Sequence, residues 1–440
     1  MADHDTIFAL SSGGLPAGVA VVRVSGSATG DALRALCGKV PPARVATLMK
    51  VCAADGEELD RGLILFFPGP ASFTGEDCAE LQLHGSRAVV AAVLQTLGEQ
   101  PGLRQAEAGE FARRAFESGK MDLVEAEGLA ELVQAETASQ RRLAKYLADG
   151  HLSRRYDFWM TRLSESRALI EAELDFADES DIPGSVSDRV WHDVERLAQE
   201  IEAALSDHVA EIVQDGFRVV IAGPPNAGKS SLLNVLAQRD VAIVTDIAGT
   251  TRDVLSVNLD LDGMKIVVYD TAGLRDTADP VERIGIERAR ATIATCDLVL
   301  YLSESGDPPP PELVESLGGS TEVLAVRTKE DTKGSSASVA DYEISALTGA
   351  GIDSLLKRIS LKASEAVRGG QFVTPLLIRH RNHLVAAVAN LRESLEAEGY
   401  PLELRAEMLR RAADELAHLT GRVTPDALLG LIFSQFCVGK

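Results

Sequence analysis

The segment Gly223-Pro224-Pro225-Asn226-Ala227-Gly228-Lys229-Ser230 limits what this chain can fold into more than any other. It follows an apolar run, Phe217 to Ala222, and precedes a helix-forming stretch, so G-x-x-x-x-G-K-[ST] stands in the strand, loop and helix context that its chemistry requires. Its glycines let backbone N–H groups close around phosphate oxygens. Lys229 can neutralise β- and γ-phosphate charge, and Ser230 can offer an oxygen to Mg²⁺. Asn226, Ala227, Gly228, Lys229, Ser230 and Ser231 are therefore the expected nucleotide contacts. Apolar runs at Leu298 to Leu302 and Val323 to Val326, alternating with helical stretches, predict a doubly wound α/β domain around this loop.

The companions of the loop define the ligand further. Asp270-Thr271-Ala272-Gly273 ends the apolar run Ile266 to Tyr269, placing a carboxylate where it can hold a Mg²⁺-bound water and a glycine N–H where it can meet a γ-phosphate. Between the two lies Thr245-Asp246-Ile247-Ala248-Gly249-Thr250-Thr251-Arg252-Asp253, in which Thr251 is expected to give Mg²⁺ a second protein oxygen. Thr328-Lys329-Glu330-Asp331 and Ser345-Ala346-Leu347 concern the base. A carboxylate at Asp331 can accept from both the ring N–H and the exocyclic amine of guanine, and adenine offers no such pair, so GTP is expected over ATP. GTPases usually carry N-K-x-D here. Thr328 keeps one hydroxyl but loses the two-sided bridging of an amide, which predicts weaker nucleotide binding.

Ras-like GTPases place a water-orienting glutamine directly after the D-x-x-G glycine, where this chain has Leu274. An apolar side chain cannot align water. Asn226 suggests another device: its side-chain oxygen, with carbonyls and hydroxyls of the loop containing Thr245, Ile247 and Thr250, can hold a monovalent cation near the β- and γ-phosphates.

At 440 residues the chain should form two or three domains. Residues 1–118 mix short strands (Gly18 to Val24, Leu63 to Phe67) with turns and predict an α+β domain; residues 119–214 and 366–440 read as helical, and residues 215–365 as the α/β domain inserted between them. The clearest helical stripe is Val190, Val194, Leu197, Ile201, Leu205 and Val209, and a hairpin is expected to turn at Asp262-Gly263. A net charge of -22 disfavours strong unaided binding to a phosphate backbone. No apolar run approaches the roughly 20 residues that span a bilayer, and no secretory leader pattern opens the sequence. Five scattered cysteines without metal-binding spacing fit a reduced, cytoplasmic setting.

With GPPNAGKSSLLN, TDIAGTTRD, DTAGLR, VERIGIERA and a final FCVGK in order, the chain resembles the MnmE (TrmE) family of tRNA modification GTPases along essentially its whole length. That resemblance implies an N-terminal folate-binding domain, a helical domain in two segments and an inserted GTPase domain. It implies a homodimer, K⁺ at the nucleotide, and Glu282 orienting the attacking water through a second water. It also implies an FAD-dependent partner enzyme, tRNA as substrate, and a reduced folate as the carbon source for an aminomethyl or carboxymethylaminomethyl group at carbon 5 of the wobble uridine. Arg23, Glu80, Lys120 and Lys440 are the folate-contacting positions by the same resemblance, although the N-terminal Gly13 to Gly18 loop departs from the family's usual form. Cys437 reads either as a nucleophile or as a small buried hydrophobe beside Phe436. The competing function is a regulatory GTPase of ribosome assembly, which would need an RNA-binding segment and would have no use for the folate-type domain.

Overall fold

The computed structural model describes residues 5–175, 186–243, 256–270, 296–317, 321–331, 340–368, 377–397, 399–423, 426–434, 436 and 439. The chain divides into two units, one of Met1–Ala130, Leu147–Arg162 and Ala413–Lys440, the other of Glu131–Tyr146 and Leu163–Ala412.

The first unit is built on strands β1 (Thr6–Leu10), β2 (Ala17–Ser25), β3 (Thr47–Cys52), β4 (Glu58–Phe67), β5 (Cys78–Gly85) and β6 (Leu103–Gln105), in the order β3-β4-β5-β2-β1-β6. All neighbours are antiparallel except β1 and β6. The period of two sorts each strand between faces: Val22, Val24, Ile64, Ala79 and Leu81 enter a core with Leu33 and Leu36 of helix Thr29–Cys37 and Val93 and Leu97 of helix Arg87–Gly98. The intervening Arg23 and Glu80 must then lie on the opposite face, where they are direct register partners. Ile7 and Ala9 of β1 share that face with Phe111 of helix Glu110–Glu117, in a smaller cluster that Phe73 packs against.

Helix Leu123–Gln134 starts with a reciprocal cap: Asp122 Oδ1 accepts from the Glu125 N–H and Glu125 Oε2 from the Asp122 N–H, both at 2.8 Å. Its Leu123 and Ala126 pack with Ala112, Leu429, Phe433 and Phe436, which brings the late helix Asp426–Ser434 against the early chain.

The second unit holds a sheet of β7 (Phe217–Ala222), β8 (Ser256–Leu261), β9 (Met264–Asp270), β10 (Leu298–Ser303), β11 (Glu322–Arg327) and β12 (Tyr342–Glu343), in the order β12-β11-β10-β7-β9-β8. It is parallel apart from the β8–β9 hairpin, whose turn residues Asp262 (φ 54°) and Gly263 (φ 81°) have the left-handed backbone that the Asp-Gly pair predicts. Helix Ile352–Val367 buries Leu355, Ile359 and Ala363. Two helices distant in sequence meet in the same unit, because Arg392 of Ile378–Glu396 forms a two-point ion pair with Glu202 of Val186–Ser206, at 2.7 and 2.5 Å. The helical part is thus made of two chain segments with the α/β domain inserted between them, and the protein is multidomain as the sequence predicts.

One expectation is refined. The stripe from Val190 to Val209 is not a single helix, since Asp207 Oδ1 accepts from the Val209 N–H at 3.0 Å and a new helix, Val209–Asp215, begins there.

Gly109 and Gly119 offer a paired test of the late helix's docking. Both have positive φ, 68° and 67°, but a Cβ at Gly109 would lie 2.2 Å from the Phe433 carbonyl oxygen, whereas nothing lies within 4 Å of one at Gly119. Gly119→Ala should lose only the left-handed backbone cost, about 1–2 kcal/mol, and Gly109→Ala distinctly more. Denaturant unfolding of the two variants checks this, and equal losses would contradict the packing described.

Candidate functional site

In the α/β sheet, β7 lies between β9 and β10, the point at which successive strands are laid down on opposite sides of the first. Loops that leave the carboxyl ends of strands at such a point form a crevice. The phosphate-loop sequence occupies it. Gly223 has φ 144° and a Cβ there would sit 2.2 Å from the Leu302 carbonyl oxygen, so the loop leaves β7 in close contact with β10 only because this residue has no side chain. Asn226 (φ 66°) and Gly228 (φ 90°) turn the chain into helix Lys229–Ala237, whose first N–H groups have no partners within the helix.

Lys229 is buried, and its Nζ donates to the carbonyls of Gly223 and Pro224, each at 2.9 Å. Two of its three donors thus hold the ammonium over its own loop. Ser230 Oγ donates to Asp270 Oδ2 at 2.7 Å. Register explains this meeting: β7 and β9 are parallel with Ile221 opposite Asp270, so the end of β9 reaches the start of the helix. Two oxygen donors of this kind suit Mg²⁺, and Asn226 at the turn of the loop has an oxygen suited to a monovalent cation.

Beyond Gly228 the crevice widens to a cavity of about 460 Å³, in the range of small-ligand sites, lined among others by Ser231, Gln238, Thr328, Lys329, Asp331, Ala346 and Leu347. Asp331 accepts a hydrogen bond from Ser345 Oγ, which also accepts from the Thr348 N–H at 3.2 Å. Leu347 stands 84% exposed beside the cavity, a large apolar surface with no packing role in the core. Thr328 is buried, and its hydroxyl donates to the Ala227 carbonyl at 2.8 Å. The hydroxyl that stands where GTPases usually have an amide therefore does tie the base-side loop to the phosphate loop, through a single bond. Lys329 bonds Glu304, a partner the sequence did not single out because it follows β10, far from Lys329 along the chain.

On the first unit's open sheet face, Arg23 Nη2 and Nε donate to Glu80 Oε1 at 2.9 and 3.3 Å, so both bonds use the same carboxylate oxygen. The guanidinium carbon lies 5.3 Å from the centre of the Phe73 ring and 5.7 Å from that of Phe111, near enough for cation–π attraction. Lys120 is exposed, and its Cε would be 3.2 Å from a Cβ at Gly75, in the loop that carries Phe73. Gly439 lies against the same sheet: Ser11 Oγ donates to its carbonyl at 2.7 Å, next to β1, whose Ala9 is the register partner of Arg23. A cation, a carboxylate and aromatic rings together suit a flat heterocycle with donor edges and an acidic tail.

Thr245, Asp246, Ile247, Ala248, Gly249, Thr250, Thr251, Thr271, Ala272, Gly273, Leu274, Glu282, Cys437 and Lys440 lie outside the described residues. Among the described residues no cluster of His, Cys, Asp and Glu could hold a metal by itself, and no helix is long and apolar enough to cross a membrane.

The chain is similar to known proteins along essentially its whole length. Residues 6–120 match a family model described as the GTP-binding protein TrmE N-terminus, and residues 123–437 one described as the MnmE helical domain. The chain is 56% identical over 440 residues to the tRNA modification GTPase MnmE of Sinorhizobium medicae, covering 99% of both chains. It is 55% identical to the protein of that name from Rhizobium meliloti, over the whole of both chains, and 52% identical to that of Brucella canis, covering 99% and 98%. The chain belongs to the MnmE family. Its departures from the usual GTPase pattern therefore stand in a member of that family, and Thr328 is the one whose contact is visible.

Thr328→Val keeps the shape and removes the donor, leaving the Ala227 carbonyl unpaired at a cost of about 1–3 kcal/mol. GTP affinity should fall about tenfold or more, while Thr328→Asn should bind GTP more tightly than the native chain. Nucleotide titrations check this, and an unchanged Thr328→Val would show that the bond does not support the site.

Proposed function

We propose that this chain is a GTP-hydrolysing enzyme of tRNA modification, a reading supported above all by the convergence of Lys229, Ser230 and Asp270 beside the Asp331 cavity. The backbone N–H groups of the phosphate loop and Lys229 bind the phosphates. Ser230 and Asp270 hold Mg²⁺ with Thr251, directly or through water. Asp331 accepts from guanine, with Thr328, Lys329, Ser345, Ala346 and Leu347 around the base.

Hydrolysis without a glutamine after Gly273 is assigned to two other groups. Asn226, with Thr245, Ile247 and Thr250, holds K⁺, which when bound supplies positive charge near the β- and γ-phosphates. Glu282 orients the attacking water. The remaining phosphate-site contacts are Ala227, Gly228, Ser231, Asp246, Ala248, Gly249, Thr271, Ala272 and Gly273.

The N-terminal sheet is assigned a reduced folate. Arg23, Lys120 and Lys440 face its carboxylates, Glu80 accepts from the pterin's donor edge, and Phe73 and Phe111 fix Arg23. Folate supplies the carbon; with an FAD-dependent partner enzyme the chain modifies carbon 5 of the wobble uridine, Cys437 lying in the segment next to Lys440. In this reading the protein is a cytoplasmic homodimer with domains at residues 1–118, 119–214, 215–365 and 366–440.

Two experiments test the assignments. GTP should bind in preference to ATP and turn over at least about tenfold faster in K⁺ than in Na⁺ at equal ionic strength, with single-turnover hydrolysis reduced about 10²-fold in Glu282→Ala. Equal rates in the two salts would reject cation activation, and an unimpaired variant would reject the role of Glu282. Removing Cys437 to Lys440 should weaken reduced-folate binding about tenfold or more with GTP affinity nearly intact, as read by calorimetry. Unchanged folate affinity would place Lys440 outside the pocket.

A further inference from the structure

The face of β2 that carries Arg23 also carries Ser25, two residues on, and the loop at residues 68–77 lies over it. Ser25 Oγ is 2.7 Å from both Thr74 Oγ1 and Glu76 Oε2, and Ser25 and Thr74 are fully buried. Glu76 is gripped from the other side by Arg114, whose Nη1 lies 3.1 Å from each carboxylate oxygen. Arg114 is only 5% exposed, and its Nη2 donates to the Asp5 carbonyl at 2.8 Å and to Glu110 at 3.0 Å. Among the described residues, no hydrogen bond of this network reaches Arg23, Glu80 or Lys120. The network does hold the loop from which Phe73 reaches the Arg23 guanidinium. Arg114 also stands three positions after Phe111 on one helix, and Phe111 is the second ring beside that guanidinium.

We propose that Arg114, through its two-point ion pair with Glu76, is a positioning residue of the N-terminal ligand site: it sets Phe73 against Arg23 and so fixes the cation that meets the ligand's carboxylate. The proposal rests on the reduced-folate reading and adds to it a residue outside the pocket. The second nitrogen is what matters, because Nη1 meets Glu76 while Nη2 reaches the Asp5 carbonyl and Glu110, and an ammonium has one nitrogen for all of these partners. Charge alone would not do the same work.

The test is calorimetric titration of the full chain with 5-formyltetrahydrofolate, in the native form, in Arg114→Lys, in Phe73→Ala and in the double variant. Arg114→Lys should weaken binding about tenfold in the native background and change it by less than about twofold once Phe73 is alanine, because the residue acts through that ring. GTP affinity should be the same in all four. A tenfold loss in both backgrounds, or no loss in the native one, would overturn the positioning role and leave the folate reading standing. Should Arg114→Lys not fold by circular dichroism, Glu76→Gln reads the same ion pair from the loop side, with the same expected dependence on Phe73. A native chain that binds GTP but not the folate would instead overturn the folate reading, and the role proposed for Arg114 with it.

Discussion

Ser230 and Asp270 come from different loops, yet their side chains meet at 2.7 Å. That contact depends on the parallel register of β7 and β9, which sets Ile221 opposite Asp270. A slip of one residue would turn every side chain of β9 to the other face of the sheet and take the carboxylate away from the loop. Val219, Val220 and Ile221 on one strand and Ile266, Val267 and Val268 on the other are all buried, so both faces of this pair lie in the core. Nucleotide chemistry here is thus held in place by the packing of two strands, and the loops supply only the last few ångströms.

The same logic governs the N-terminal sheet. Strict alternation sends Val22, Val24, Ala79 and Leu81 into the core, and so leaves Arg23 and Glu80 facing each other on the open side. A buried network of Ser25, Thr74, Glu76 and Arg114 then closes a loop over that side. Breaking one member would leave charge or hydroxyl unpaired in a dry place, which is costly. Such a network is suited to holding one geometry.

Much of this was legible in the sequence because it is local. The phosphate loop, the Asp262-Gly263 hairpin and the runs at Leu298 and Val323 each announce themselves within about ten residues through turn chemistry and apolar spacing. What was not legible joins residues far apart in the chain. Glu304 beside Lys329, Arg114 beside Glu76 and Ser11 beside Gly439 are ordinary polar residues until the fold brings them together. Thr328 falls between the two. Its departure from the usual asparagine was visible, but its bond to Ala227 required the loop geometry. The break at Asp207 within an apolar stripe shows the opposite limit, where spacing continues across the gap between two helices. Family resemblance covered what spacing could not, and it is the basis on which Glu282 and Lys440 are proposed at all.

We propose that the nucleotide site held by β7 and β9 drives modification of tRNA. The most direct test is mass spectrometry of the wobble uridine in a strain lacking this gene and complemented with the native chain or with Asp270→Asn. Native complementation should restore the group at carbon 5 and Asp270→Asn should not, although the variant protein is present in equal amount. Full restoration by Asp270→Asn, or a wobble uridine that never depended on the gene, would contradict it.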